Sequence, residues 1–318
     1  MKNKILFGNC QDTLKEFAPN SARTCVTSPP YYGLRDYGTA TWIGGDPNCN
    51  HRRDSKVKPE NCNTGHKNHD EMYGVGDAIY KTVCPKCGAV RQDSQIGLEE
   101  TPEEYIENLV NVFKEVRNVL TDDGTLWLNI GDSYYNYRPG KGQALSKQTV
   151  SNNRQDLPDK CARRGNKLKG LKEKDLIGIP WMLAFALRAD GWYLRQDIIW
   201  NKPNPMPESV RDRCTKSLKY IFLLSKSQNY YFDVDAIKEP TRRKRSVWTV
   251  NNKPYRGAHF AVFPPDLIEP CIRAGSKEGD IVLDPFMGSG TTAMVAKSLK
   301  RYYMGLSLIH ISEPTRPY

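Results

Sequence analysis

Residues 281–292 constrain this 318-residue chain more than any other stretch. Ile281-Val282-Leu283-Asp284 is an apolar run ending in an acid. Pro285-Phe286-Met287-Gly288-Ser289-Gly290 then turns the chain, and Thr291 opens a segment with helical spacing. A strand that feeds a Gly-x-Gly turn and then a helix is a building unit of open α/β sheets. Glycine admits positive φ and lets a ligand approach the backbone closely. In such sheets ligands bind at the carboxyl ends of the strands. The Lys of a phosphate-binding loop is missing here, as is the third Gly of a dinucleotide fingerprint, so neither pattern is met.

The rest of the chain alternates in the same way. Strands are expected at 4–7, 23–27, 125–130, 194–200, 218–224, 280–284 and 301–306. Thr101-Pro102-Glu103-Glu104 predicts a helix start: a Thr N-cap, Pro at the first helical position and Glu104 closing a capping box. Ile106, Leu109, Val110, Phe113 and Val116 follow at helical spacing. Further helices are expected at 180–189, 265–274 and 291–299. Alternating strands and helices indicate an α/β fold, a mostly parallel sheet with helices on both faces. Ser28-Pro29-Pro30-Tyr31 follows the second strand. Two prolines cannot continue a sheet interior, so this tetrapeptide belongs in a stiff loop at a strand end.

Asp284-Pro285-Phe286-x-Gly288-Ser289-Gly290-Thr291 resembles the S-adenosylmethionine-binding motif of the DNA amino-methyltransferases. Thr27-Ser28-Pro29-Pro30-Tyr31 resembles their catalytic motif. The catalytic motif comes first and the cofactor motif last, an order similar to that of the permuted β class. The resemblance covers 1–40 and 96–306. It implies a Rossmann-like methyltransferase fold with circularly permuted motif order, S-adenosylmethionine as cofactor and double-stranded DNA as partner. It also implies a cytoplasmic enzyme of prokaryotic or phage origin, with a cognate restriction endonuclease as a possible companion. By the same resemblance, Ser28 and the Pro29 carbonyl accept hydrogen bonds from the target amino group, Pro30 helps stiffen the loop, and Tyr31 stacks on the flipped base. Phe263-Pro264 resembles an additional cofactor-contacting motif. Ser rather than Asp at position 28 is typical of cytosine-N4 enzymes, although some adenine-N6 enzymes share it. The family usually places an acid for the ribose hydroxyls where this chain has Ser307. Residues 307–318 show no period and resemble the adaptor-like tails of truncated gene models, so a non-native tail is expected there. A catalytically impaired DNA-binding module is the remaining alternative.

Lys plus Arg number 47 and Asp plus Glu 36, a net charge of +11. The surplus is concentrated. Residues 138–175 carry a net +7 and residues 238–256 a net +6. Two basic, apolar-poor stretches suit a polyanion partner. Arg163, Arg164, Arg242, Arg243, Lys244 and Arg245 are candidate phosphate contacts. Motif order places target recognition within 134–257, and the stretches 204–209 and 211–213 could line the DNA side. Residues 41–95 change character: few aliphatics, with four of the nine Cys and three of the five His. There Cys84-Pro85-Lys86-Cys87 has zinc-ligand spacing, and Cys49 with His51 would complete a closed structural site. Cys62, His66 and His69 compete for the same role. This zinc-knuckle insertion should need its metal to fold. Nine cysteines, an odd number, argue against a disulfide framework. No apolar run approaches about 18 residues, and the first residues lack a signal-peptide core, so neither membrane insertion nor secretion is expected.

Overall fold

In the computed structural model the apolar runs pair side by side as strands. The structure describes residues 2–33, 40–51, 83–92, 95–135, 168, 170–252 and 263–307. In chain order the elements are β1 (Lys4–Phe7), α1 (Cys10–Thr13), β2 (Ala22–Thr27), β3 (Thr41–Ile43), β4 (Val90–Gln92), α2 (Pro102–Val119), β5 (Leu120–Ile130), α3 (Ile179–Ala189), β6 (Tyr193–Asn201), β7 (Leu218–Ser225), β8 (Val247–Thr249), α4 (Pro265–Gly275), β9 (Ile281–Asp284), α5 (Thr291–Ser298) and β10 (Tyr302–Ser307). Two compact units result. One comprises Met1–Arg35, Ile96–Tyr137 and Asn166–Tyr318, the other Asp36–Gln95 and Arg138–Gly165.

Within the first unit, eight strands among the described residues form one sheet in the order β1-β10-β9-β2-β5-β7-β6-β8. The pairs from β1 to β5 are all parallel. β7 runs antiparallel to both β5 and β6, and β6 pairs parallel with β8. The sheet is therefore mostly parallel, with one reversed strand. β1 lies beside β10, so the first and last strands are neighbours. That adjacency is what a circular permutation requires.

Strand alternation sends side chains to two separate cores. Cys25, Leu126, Leu128, Phe222 and Leu224 join α2 and α3 on one face. Val26, Trp127, Ile221 and Leu223 join α4 and α5 on the other. Strands buried on both faces read as continuous apolar runs, which is why 126–130 and 221–224 carry so few polar residues. On α2, Tyr105, Leu109, Val112, Phe113 and Val116 are fully buried. Each such side chain contributes roughly 1.5–3 kcal/mol of transfer free energy.

The Thr101 capping box forms as the sequence predicts. The Glu104 amide donates to Thr101 Oγ1 at 3.2 Å, and the Thr101 amide donates to Glu104 Oε2 at 3.4 Å. Replacing Thr101 with Ala removes one of these bonds from an otherwise well-packed helix. Thr101→Ala should lower the unfolding free energy by about 1 kcal/mol. A urea titration should show an earlier midpoint with an unchanged slope.

Candidate active site and metal cluster

β2 and β9 are parallel neighbours, with Thr24 opposite Val282 and Cys25 opposite Leu283. Their C-terminal loops, Ser28-Pro29-Pro30-Tyr31 and Pro285–Gly290, therefore leave the sheet at the same edge. From β9 the chain passes through α5 to β10 on one side, while β2 lies on the other. This is a topological switch point, where open α/β sheets hold their ligands.

One buried carboxylate joins the two loops. Thr27 Oγ1 donates to Asp284 Oδ1 at 2.5 Å, and Thr292 Oγ1 donates to Asp284 Oδ2 at 2.7 Å. The Phe286 amide donates to Oδ1 at 3.1 Å. Asp284 is only 2% exposed. Burial pushes its pKa up to about 6, against the lowering effect of its three donors. Cys25 behind it is fully buried, and desolvation, with a smaller push from Asp284, raises its thiol well above the usual range.

The glycine turn is seated from several sides. Gly290, at φ +78, caps α5 in the left-handed region. Ser289 Oγ and Thr291 Oγ1 lie 3.0 Å apart. The Met287 amide donates to the Leu306 carbonyl at 2.8 Å. Met287 itself rests on Gly305, where any Cβ would overlap its sulfur. Phe286 meets Phe113 edge-on at 6.3 Å. Pro285 and Gly288 complete the turn. Phe263 packs on the core beneath α4 and α5, and buried Pro264 caps α4, its carbonyl accepting from the Leu267 amide at 3.0 Å. Ser307 closes β10 opposite Phe7, and its carbonyl accepts from the Gly8 amide at 3.2 Å.

The proline loop is held by residues that sequence reasoning missed. Tyr105 Oη donates to the Pro30 carbonyl at 2.8 Å. Burial raises the Tyr105 phenol well above its usual range, so it stays a donor. Among the described residues the Pro29 carbonyl has no partner. The Tyr31 ring lies against Gly131, where a Cβ would sit 3.0 Å from the ring. Gly97, at φ +102, leaves room for the Tyr31 carbonyl. Ser28 Oγ donates to Tyr31 Oη at 3.4 Å, and Lys219 Nζ donates to the same oxygen at 3.0 Å. Asn129-Ile130-Gly131-Asp132, a strand ending in glycine and acid, is the one local signal that could have marked this wall.

Arg242, Arg243, Lys244 and Arg245 precede β8, the outermost strand. Three strands separate it from β2, about 19 Å at usual strand spacing. Arg242 pairs with Glu239 at 2.6 Å, and Lys244 lies 5.1 Å from the Trp248 ring centre. The structure thus does not bring this run together with Ser28. Arg163 and Arg164 lie outside the described residues, as do Cys62, His66 and His69.

In the second unit, β3 and β4 pair antiparallel. Cys49, His51, Cys84 and Cys87 converge there, their ligand atoms all within 4.8 Å of one another. Cys49 and Cys84 sulfurs are 3.7 Å apart, and Cys87 Sγ lies 3.5 Å from His51 Nδ1. Tetrahedral zinc with ordinary bond lengths would set these edges at about 3.8 Å and about 3.6 Å. Gly88, at φ +74, turns the Cys84–Cys87 loop, and its amide donates to the Cys84 carbonyl at 2.8 Å. His51 stacks on Trp42 at 4.2 Å.

The raised pKa of Asp284 gives a pH signature. Its folded value, about 6, lies above the ordinary 3.8. Below the unfolded value both states are protonated. Between the two values the folded state keeps a proton that the unfolded state loses, so stability falls as pH rises. Relative to Asp284→Asn, the ligand-free wild type should gain up to about 3 kcal/mol of unfolding free energy as pH drops from about 7 to about 4. Denaturant titrations across that range check this, and a difference independent of pH contradicts it.

The family model N6_N4_Mtase, described as DNA methylase, matches residues 22–311. The chain is 42% identical over 312 residues to the type II methyltransferase M.Cfr9I of Citrobacter freundii, covering 95% of this chain and 82% of that protein. It is also 42% identical over 320 residues to M.SmaI of Serratia marcescens, covering 96% of this chain and 86% of that one. Among solved structures, the PvuII DNA methyltransferase (cytosine-N4-specific) matches with a TM-score of 0.60 at 17% identity, covering 97% of this chain and 83% of that one. A putative DNA modification methylase of Thermus thermophilus, solved with S-adenosyl-L-methionine, matches with a TM-score of 0.54 at 20% identity, covering 96% and 88%. With the family model spanning most of its length, this chain belongs to the N6/N4 DNA methylase family.

Proposed function

We propose that the protein transfers a methyl group from S-adenosylmethionine to the N4 amino group of a cytosine in double-stranded DNA. The observation that carries this reading is the meeting of the two motif loops at one sheet edge, tied through Asp284. The residues at the β9 turn suit the cofactor: Gly288 and Gly290 leave backbone uncovered, and the first turn of α5 offers free amides to a carboxylate. When bound, the cofactor supplies a sulfonium methyl that is already strongly electrophilic. The chain must supply alignment and a partner for the amino group, whose lone pair is delocalised into the ring. Ser28 Oγ and the Pro29 carbonyl, which has no partner among the described residues, accept its hydrogens and favour a pyramidal nitrogen. Tyr105 holds the neighbouring Pro30 carbonyl, which keeps the loop from turning. Tyr31, steadied by Gly131 and by the Lys219 bond to its hydroxyl, stacks on the base once it leaves the duplex. Ser28 rather than Asp favours cytosine.

Incubation with labelled S-adenosylmethionine and unmodified plasmid, followed by nucleoside analysis, tests this. N4-methylcytosine is the expected product. N6-methyladenine would reassign the base on the same scaffold, and absence of label with retained DNA binding would leave a binding module. Ser28→Ala should lower transfer by roughly 100-fold or more while DNA binding persists.

We also propose that Cys49, His51, Cys84 and Cys87 hold a structural zinc ion. The site has four protein ligands and no open position, so it would staple an aliphatic-poor segment rather than catalyse. Metal analysis should give about one zinc per chain by this four-ligand stoichiometry. Cys84→Ser combined with Cys87→Ser should bring that ratio close to zero.

A further inference from the structure

Three lysines gather at the sheet edge that carries the proline loop, and Lys219 touches it. β6 ends, and β7 begins, at the sheet edge that carries Ser28: Trp200 lies opposite Lys219, and Ile130 opposite Tyr220. Lys219 Nζ is 3.0 Å from Tyr31 Oη and 5.5 Å from the Trp200 ring centre. Lys202 Nζ lies 5.8 Å from the same Trp200 ring. Lys216 Nζ donates to the Asp132 carbonyl at 3.2 Å and lies 5.8 Å from the Tyr134 ring. All three are half-buried.

The nearby acids, Asp132 and Glu208, act on Lys216 at a distance, but each also has partners of its own. The Asp132 carboxylate accepts from the amides of Ser133, Gly178 and Ile179 at 2.9, 3.0 and 3.1 Å, and so anchors the start of α3. Glu208 pairs with Arg213, whose guanidinium lies 3.9 Å from the Tyr134 ring centre. Among the described residues, none of the three ammonium groups makes an ion pair. Burial, then repulsion by Lys219 and Lys216, lowers the Lys202 pKa to about 8 against a weaker attraction from Glu208. Like charges gathered in half-buried positions disfavour the free protein unless an anion joins them. The glycine turn follows β9, on the far side of β2, so the cofactor's carboxylate is poorly placed to be that anion.

We infer that Lys202, Lys216 and Lys219 form the seat for the DNA phosphate adjoining the extruded base. The inference rests on the DNA-methyltransferase reading above. The phosphate chemistry could come from a phosphodiester or from free phosphate, and the test separates them. The aromatic rings of Trp200, Tyr134 and Tyr31 keep the ammonium groups aimed without neutralising them. Lys219 has a second duty, since it also orients Tyr31.

The test uses the full chain and unmodified phage DNA. The DNA dependence of methyl transfer is measured at several salt concentrations for the wild type, Lys202→Gln, Lys216→Gln and the corresponding Arg variants. Each Gln variant should raise KM for DNA about tenfold. It should also shallow the log–log salt dependence by about 0.9 for each phosphate charge no longer neutralised. Arg should restore both. A fall in kcat and thermal midpoint with an unchanged salt slope would mean a structural role and overturn the inference.

Once the methylated base is mapped, a duplex with one neutral methylphosphonate beside it supplies the second arm. That change should weaken wild-type binding more than binding by the Gln variants; an equal loss in all would overturn the assignment. Inorganic phosphate that raises the wild-type thermal midpoint alone, with DNA parameters equal across variants, would point to a free-anion site and likewise overturn it. Failure of the activity reading looks different: the wild type itself would transfer no methyl to DNA.

Discussion

The carboxylate of Asp284 is the point on which the site depends. It receives Thr27 from β2, Thr292 from α5 and the Phe286 amide from the turn itself. Parallel pairing alone brings β2 and β9 together, but it does not fix how the loops beyond them are oriented. Three donors on two oxygens do so, because each must point inward to satisfy a group that water cannot reach. Burial still wins against those donors and leaves the carboxyl raised to about 6. The interaction therefore gives orientation at some expense of stability, a common pattern where a fold carries chemistry.

Around that knot the proline loop is held as a rigid edge. Of its two proline carbonyls, one is occupied by Tyr105 and the other has no partner among the described residues. Two prolines restrict φ on their own. The remaining freedom, rotation of the peptide planes, is limited by the tie at Pro30 and by the close fit of Tyr31 against Gly131. Weak nucleophiles gain most from such alignment, since holding reactants in place replaces a large part of the activation entropy. Met287 on Gly305 plays the matching part across the crevice, where a bare backbone lets the thioether lie flat beneath the turn.

What the sequence made legible was local. The strand-turn-helix at 281–292, the proline tetrapeptide and the Thr101 box are all written within a dozen residues, and each folds as its own residues dictate. The Cys/His cluster was legible in part: Cys84-x-x-Cys87 is local, but residue type left Cys49 and His51 competing with Cys62, His66 and His69, and the fold brings Cys49 and His51 to the pair. The wall of the site was not legible. Lys219 reaches Tyr31 across 188 positions and Tyr105 reaches Pro30 across 75. Each looks ordinary in its own segment, one a strand residue and the other part of an apolar helix stripe. β8, three residues long, carries no periodicity to detect. Charge runs drew attention to 242–245, whereas Lys219, which reaches Tyr31, and its neighbours Lys202 and Lys216 are scattered singly along the sequence.

That scatter has a physical logic. A run of arginines in an exposed segment costs little in the free protein, because solvent screens it, and it gains little in positional precision for the same reason. Single lysines set into half-buried positions by β6 and β7 are screened less, so they repel one another more and hold a fixed geometry. The depressed pKa of Lys202 and the raised pKa of Asp284 then have a common meaning. Both are groups that the fold places where charge is unfavourable, Asp284 on β9 and Lys202 after β6, on opposite sides of β2. Compensation for the lysines would arrive with the polyanion itself, so the residues that strain the free protein are those that would strengthen the complex.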